Sequence, residues 1–122
     1  GNSPASEPLE VKVGPRQRAG FGLMSIPLTI TIPMDQVTML PVGKEYAGQL
    51  ELRIAAIDSE GRRSEVPVVP IQLRGATPPP KGSHSTYETE VKLRRGTEQM
   101  VVSLYDPASG GILSTSLKLA AR

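Results

Sequence analysis

The 122-residue chain has no cysteine and no tryptophan, and only one histidine and one phenylalanine. Lack of cysteine removes a disulfide framework, a thiolate nucleophile and thiolate metal ligation, so stability must come from packing. The lone histidine, His84, has no second histidine or cysteine with which to build a zinc site or a triad. It falls in a Gly/Ser/Pro-rich stretch and reads as an exposed loop residue. The only aromatics are Phe21, Tyr46, Tyr87 and Tyr105, which leaves little for nucleobases to stack on. No run approaches the roughly 18–20 apolar residues that a membrane span requires, and the N-terminus has no signal-peptide pattern. The expectation is a protein that is not an enzyme, takes no cofactor, binds no nucleic acid and has no membrane insertion.

The formal net charge of +2 is unevenly spread. Residues 1–61 carry five Lys/Arg against seven Asp/Glu, and residues 62–122 carry nine against five. With so few aromatics, the basic second half reads as a solvated charged face. Residues 1–8, Gly1-Asn2-Ser3-Pro4-Ala5-Ser6-Glu7-Pro8, read as a tag scar and polar linker. Residues 9–122 are expected to form a single domain, large enough to bury a core without staples, and the chain is expected to be a piece of a longer protein whose targeting signal lies upstream.

What the chain does have is period-two alternation, segment after segment. Ile26, Leu28, Ile30 and Ile32 form one face of a segment whose other face is Pro27, Thr29 and Thr31. Leu50, Leu52, Ile54 and Ala56 alternate with Gln49, Glu51 and Arg53, and Tyr87, Thr89, Val91 and Leu93 with Glu88, Glu90 and Lys92. The same reading places strands at Leu9–Val13, Val66–Leu73, Glu98–Tyr105 and Ile112–Leu119. One apolar and one polar face per strand is the antiparallel pattern. Pro67 and Pro70 put the Val66–Leu73 strand on a sheet edge, because proline cannot donate to a ladder. Asp58-Ser59-Glu60-Gly61, Arg95-Gly96-Thr97 and Asp106 to Gly111 read as turns. Residues Gly14 to Gly22 read as a polar link, and Gly75 to Ser85, with Pro78-Pro79-Pro80, as the most mobile connection. The fold class is all-β: an immunoglobulin/fibronectin III-like antiparallel β-sandwich of about seven strands.

Several groups of polar residues invite a chemical reading. Asp58, Glu60 and Asp106 could gather around calcium, but the spacing matches no calcium loop, and aspartate is an ordinary turn former. Ser109, Ser114, Thr115 and Ser116 have no base in reach to activate a hydroxyl. Glu88, Glu90 and Glu98 resemble a glycosidase pair only in composition, since Glu88 and Glu90 share a solvated strand face. A carbohydrate-binding module is the stronger rival, although sugar platforms favour exposed tryptophan, and only Tyr46 and Tyr105 are expected at the surface. The candidate partner-binding loops are Asp58–Arg63 and Asp106–Gly111, at one end of the sandwich, with Asp58, Arg62, Arg63, Asp106 and Ser109 as contact residues. The open edge of Val66–Leu73 is the other candidate contact.

Three stretches carry a family likeness. They are Ile30-Thr31-Ile32-Pro33-Met34-Asp35, running through Gly43 and Tyr46 into Gly48–Asp58 and Gly61; Tyr87–Gly96; and Val101–Asp106 with Ser109-Gly110. Over about residues 24–119 the chain resembles the C-terminal domain of bacterial VWFA-related proteins, common in acidobacteria. The resemblance implies a parent with an export signal, an upstream von Willebrand A-type domain, an extracytoplasmic location (periplasm, cell surface or secreted) and a role in adhesion or protein–protein contact. That family's metal-dependent adhesion motif belongs to the A-type domain, so no metal site and no catalytic residue carries over. The expected function is a non-catalytic interaction or spacer module of a larger exported bacterial protein, contacting a protein partner or an adjacent domain. The alternative is a carbohydrate-binding β-sandwich attached to an enzyme.

Overall fold

The alternating segments pair into two antiparallel sheets in a computed structural model, which describes residues 9–119. The expected tag scar and linker at residues 1–8 lie outside the described residues. Ten strands run in order: β1 Glu10–Val13, β2 Gln17–Gly20, β3 Leu23–Pro33, β4 Leu40–Val42, β5 Glu45–Asp58, β6 Arg63–Glu65, β7 Val69–Gly75, β8 His84–Arg94, β9 Thr97–Tyr105 and β10 Ile112–Lys118. A 3-10 turn at Met34–Gln36 is the one helical element among the described residues. Each of the seven expected strands is present. The short strands β2, β4 and β6 are additional. His84 opens β8, opposite Pro33, and is not in a loop as expected.

In the first sheet, β1 and β2 lie end to end along one edge of β3, and β8 lies along the other. In the second, β9 pairs with residues 51–58 of β5, and β10 pairs with β9. On the opposite flank of β5 lie β7, paired with residues 46–52, and β6, paired with residues 55–57. The fourth strand in the expected series therefore joins the second sheet, giving an immunoglobulin/fibronectin III-like sandwich. Pro70 falls in β7, which has β5 on one flank only. Proline's missing donor is harmless there.

Between the sheets, Ile26, Leu28, Ile30 and Ile32 of β3 meet Leu50, Leu52, Met100, Val102 and Leu104, each no more than 2% exposed. Burial of one such side chain stabilises by about 1.5–3 kcal/mol. The core closes at one end where residues 37–39 pass over Gly48. A Cβ on that glycine would stand 2.6 Å from Met39 Sδ and 2.9 Å from the Thr38 carbonyl oxygen. The proline-rich connection before β8 is tied down at its far end. Gly82 N–H donates to both carboxylate oxygens of Asp35 at 3.1 Å, and Met34 N–H donates to the Ser83 carbonyl at 3.0 Å.

Candidate functional site

The turn after β5 is closed upon itself. Asp58 Oδ1 accepts the N–H groups of Glu60 and Arg62, both at 2.9 Å, and its Oδ2 accepts Arg62 Nε at 2.8 Å. The Arg62 backbone N–H, and then its guanidinium and the Glu60 N–H, hold the Asp58 carboxyl below its usual 3.8 against a smaller opposing effect of desolvation. Arg62 also reaches Glu60 at 3.1 Å, and Arg63 pairs with Glu65 at 3.5 Å. Gly61 supplies the positive φ of 79° that the turn needs. Every charge expected to meet a partner here has a local one.

Asp106 is a structural residue, 3% exposed. Its Oδ2 accepts the Thr38 N–H at 2.8 Å and its Oδ1 accepts the Ala108 N–H at 3.0 Å. Burial pushes the carboxyl up, but the Thr38 and Ala108 donors outweigh it and the group sits below 3.8. Ser109 Oγ accepts the Gly111 N–H at 3.1 Å, so it too shapes the turn. The two candidate loops do not share an end. Asp58 pairs with Thr97 and Glu51 with Tyr105, so the turns that follow Asp58 and Tyr105 sit at opposite ends of one ladder. At about 3.3 Å per residue they stand roughly 23 Å apart. Among the described residues, no group of three or more His, Cys, Asp or Glu side chains could hold a metal ion.

The two outer faces of the sandwich differ in chemistry. Directly opposed residues share a face, so the first sheet presents Pro27, Thr29 and Thr31 beside Glu88, Glu90, Lys92 and Lys12, a polar surface. The second presents Leu40, Val42, Ala47, Val101, Tyr105 and Ile112 among Glu45, Gln49, Glu51, Arg53, Gln72, Arg74 and Ser103. Leu40, Val42 and Ile112 are 53%, 58% and 57% exposed. A groove of about 340 Å3 runs past Leu40, Val42, Ala47 and Arg74 to Pro107 and Ala108. The sequence reading missed this face. The signal was Leu40-Pro41-Val42, two alternate apolar residues with no counterpart in the core pattern.

The tyrosines make a poor sugar platform. Tyr46 and Tyr105 are both half-buried, and the Arg53 guanidinium lies 4.5 Å from the centroid of the Tyr105 ring. Arg53 is itself drawn to Glu51 at 2.7 Å. A pyranose stacking on Tyr105 from that side would first have to displace the guanidinium.

Fold and surface together define an immunoglobulin-like β-sandwich with one polar and one partly apolar outer face. No family model and no curated protein matches the chain. Among solved structures, it is similar to a crystal structure described as Northeast Structural Genomics Consortium target SoR45, with 20% identity and a TM-score of 0.47. The match covers 97% of this chain and 90% of that one.

Proposed function

We propose that this domain is a non-catalytic interaction module whose contact surface is the outer face of the second sheet, with a protein partner or neighbouring domain as its ligand. The observation that carries the reading is the contrast between the two outer faces. Both faces carry charges, but Leu40, Val42 and Ile112 are more than half exposed on one, where the corresponding positions of the other hold Pro27, Thr29 and Thr31. Isolated exposed apolar residues need no explanation, but several on one face beside a groove mark a contact surface. The likeness to VWFA-related proteins supports placing the module in an exported bacterial protein, outside the cytoplasm, with an A-type domain as the first partner to try. The glycan-binding alternative has less support, because Arg53 covers the Tyr105 ring.

The test is an NMR titration of the labelled domain with the domain encoded upstream of it. Shift changes centred on Leu40, Val42, Ala47 and Ile112 are expected. No shifts on that face, together with specific retention on a glycan array, would overturn the reading in favour of the carbohydrate-binding module.

A further inference from the structure

A second surface lies at the end of the sandwich where β2 turns into β3. Gly20 pairs with Leu23, so Phe21 and Gly22 alone form the hairpin loop. Gly22 has φ 70°, the positive value required at the second central position of a type II turn. That leaves Phe21, the chain's only phenylalanine, at the first central position and fully exposed at 105%. Nothing in the fold uses it. The loop is fixed from behind, since Arg95 N–H donates to the Gly22 carbonyl at 3.0 Å.

Cations surround this tip on both faces of the hairpin. Arg18 opposes Met24, on the core side, and Arg94 opposes Leu23, on the outer side. Arg16, Arg18 and Arg95 line a depression of about 150 Å3 together with Leu23 and Met24, with no carboxylate among the described residues of its wall. Arg16 sits there with its Nη1 3.6 Å from Met24 Sδ. The guanidinium groups of Arg18, Arg94 and Arg95 have no ion pair among the described residues. Of the carboxylates at this end, Asp58 and Glu60 are engaged by Arg62, and Glu98 lies on β9.

From this arrangement we propose that the β2–β3 tip docks end-on to an anionic phospholipid surface, with Phe21 in the interface and Arg18, Arg94 and Arg95 on lipid phosphates. Arginines on opposite faces of one sheet end, Arg18 on β2 and Arg94 on β8, reach anions together when those anions lie in a plane across the strand axis. A bilayer surface is such a plane. Leu23, level with Gly20, stands one residue behind Phe21 and Arg18 three, roughly 3–10 Å at about 3.3 Å each. That overlaps the roughly 5–10 Å to which interfacial apolar groups sink into the headgroup boundary. A nucleic acid would call for stacking partners beside Phe21, and the other aromatics lie on the sandwich body. Phe21 docks at headgroup depth without crossing, and it uses a different surface from the protein-contact face.

The chain lacks tryptophan, so Phe21→Trp places a single reporter at the tip. Vesicles of phosphatidylcholine containing phosphatidylglycerol should shift its emission to the blue and co-sediment the wild-type chain, while vesicles of phosphatidylcholine alone should do neither. Phe21→Ala should weaken co-sedimentation about tenfold, as expected for loss of one buried aromatic. The double variant Arg18→Glu/Arg95→Glu should weaken it about 25-fold or more, at about fivefold per removed charge. Circular dichroism of each variant checks the fold. Lack of co-sedimentation at low salt, or binding that Phe21→Ala leaves intact, overturns the proposal. So does equal, Phe21-independent retention on a DNA duplex, which marks a general polyanion patch.

Discussion

Asp106 Oδ2 accepts the backbone N–H of Thr38 at 2.8 Å, across 68 positions of sequence. This bond ties the segment before β4 to the end of β9, and the Ala108 donor locks the following turn onto the same carboxylate. Asp106→Ala would leave both N–H groups without their acceptor. Ala108 is exposed and its N–H can turn to water, whereas Thr38 is half-buried; with about 1–3 kcal/mol for an unmet buried donor, a loss of about 1–3 kcal/mol in urea unfolding is expected. Asp106→Asn should recover part of it, because its amide oxygen can still accept one bond.

The same carboxylate gives stability a definite pH dependence. Asp106 and Asp58 both have folded values held below 3.8. A depressed acid stabilises the fold above its unfolded value and loses that contribution as pH falls through the folded one. Stability should therefore be flat above about pH 5 and decline on acidification below about pH 4. Thermal unfolding across that range checks the sign. Asp106→Asn should show a shallower decline than the wild type.

Gly48→Ala should destabilise by about 1–3 kcal/mol, the usual cost of overpacking. Met39 can swing aside, but the Thr38 carbonyl oxygen at 2.9 Å is backbone and cannot. Unfolding midpoints decide this. An unchanged midpoint would mean that residues 37–39 yield freely.

Arg62→Ala and Arg63→Ala should each cost no more than about 1 kcal/mol, as exposed ion pairs generally do. Both side chains are more than half exposed. Any large loss of partner affinity in either variant, at unchanged stability, would return the Asp58–Arg63 turn to the list of contact surfaces.

Arg53→Ala removes the cation over Tyr105 and the ion pair to Glu51. The exposed cation–π contact is worth about 0.5–1 kcal/mol, so stability should fall only slightly. The same variant opens the ring face, and retention on a glycan array should not fall. A drop in glycan retention would show that the arginine itself contacts sugar.

The fold was largely legible because burial on one side writes itself as alternation. Ile26 to Ile32 and Gly48 to Ile57 both became strands in the expected register, with the even-numbered residues inward. What escaped were elements with no inward face to declare. Arg63–Glu65 is wholly exposed, and Gln17–Gly20 is nearly so, and each is held by its neighbour's backbone. The surroundings of the candidate site residues were less legible, for a related reason. A charged residue in a turn looks the same in sequence whether it faces a partner or its own backbone. Asp58 and Asp106 proved to do the second, and only coordinates show where an N–H points.

Paths through the molecule run from pole to pole. Glu10 pairs with Thr31 near one end of β3, whereas Leu119 N–H donates to the Glu98 carbonyl at the other end, beside the turn that follows β8. The first and last described residues, 9 and 119, therefore lie at opposite ends of the sandwich. Tension applied between them would act along the strands, loading the β1–β3 and β9–β10 ladders in shear. Their bonds would resist together, where a peeling geometry would break them singly. Under such a load the two ladders would yield together, at a force set by several backbone hydrogen bonds and not by one.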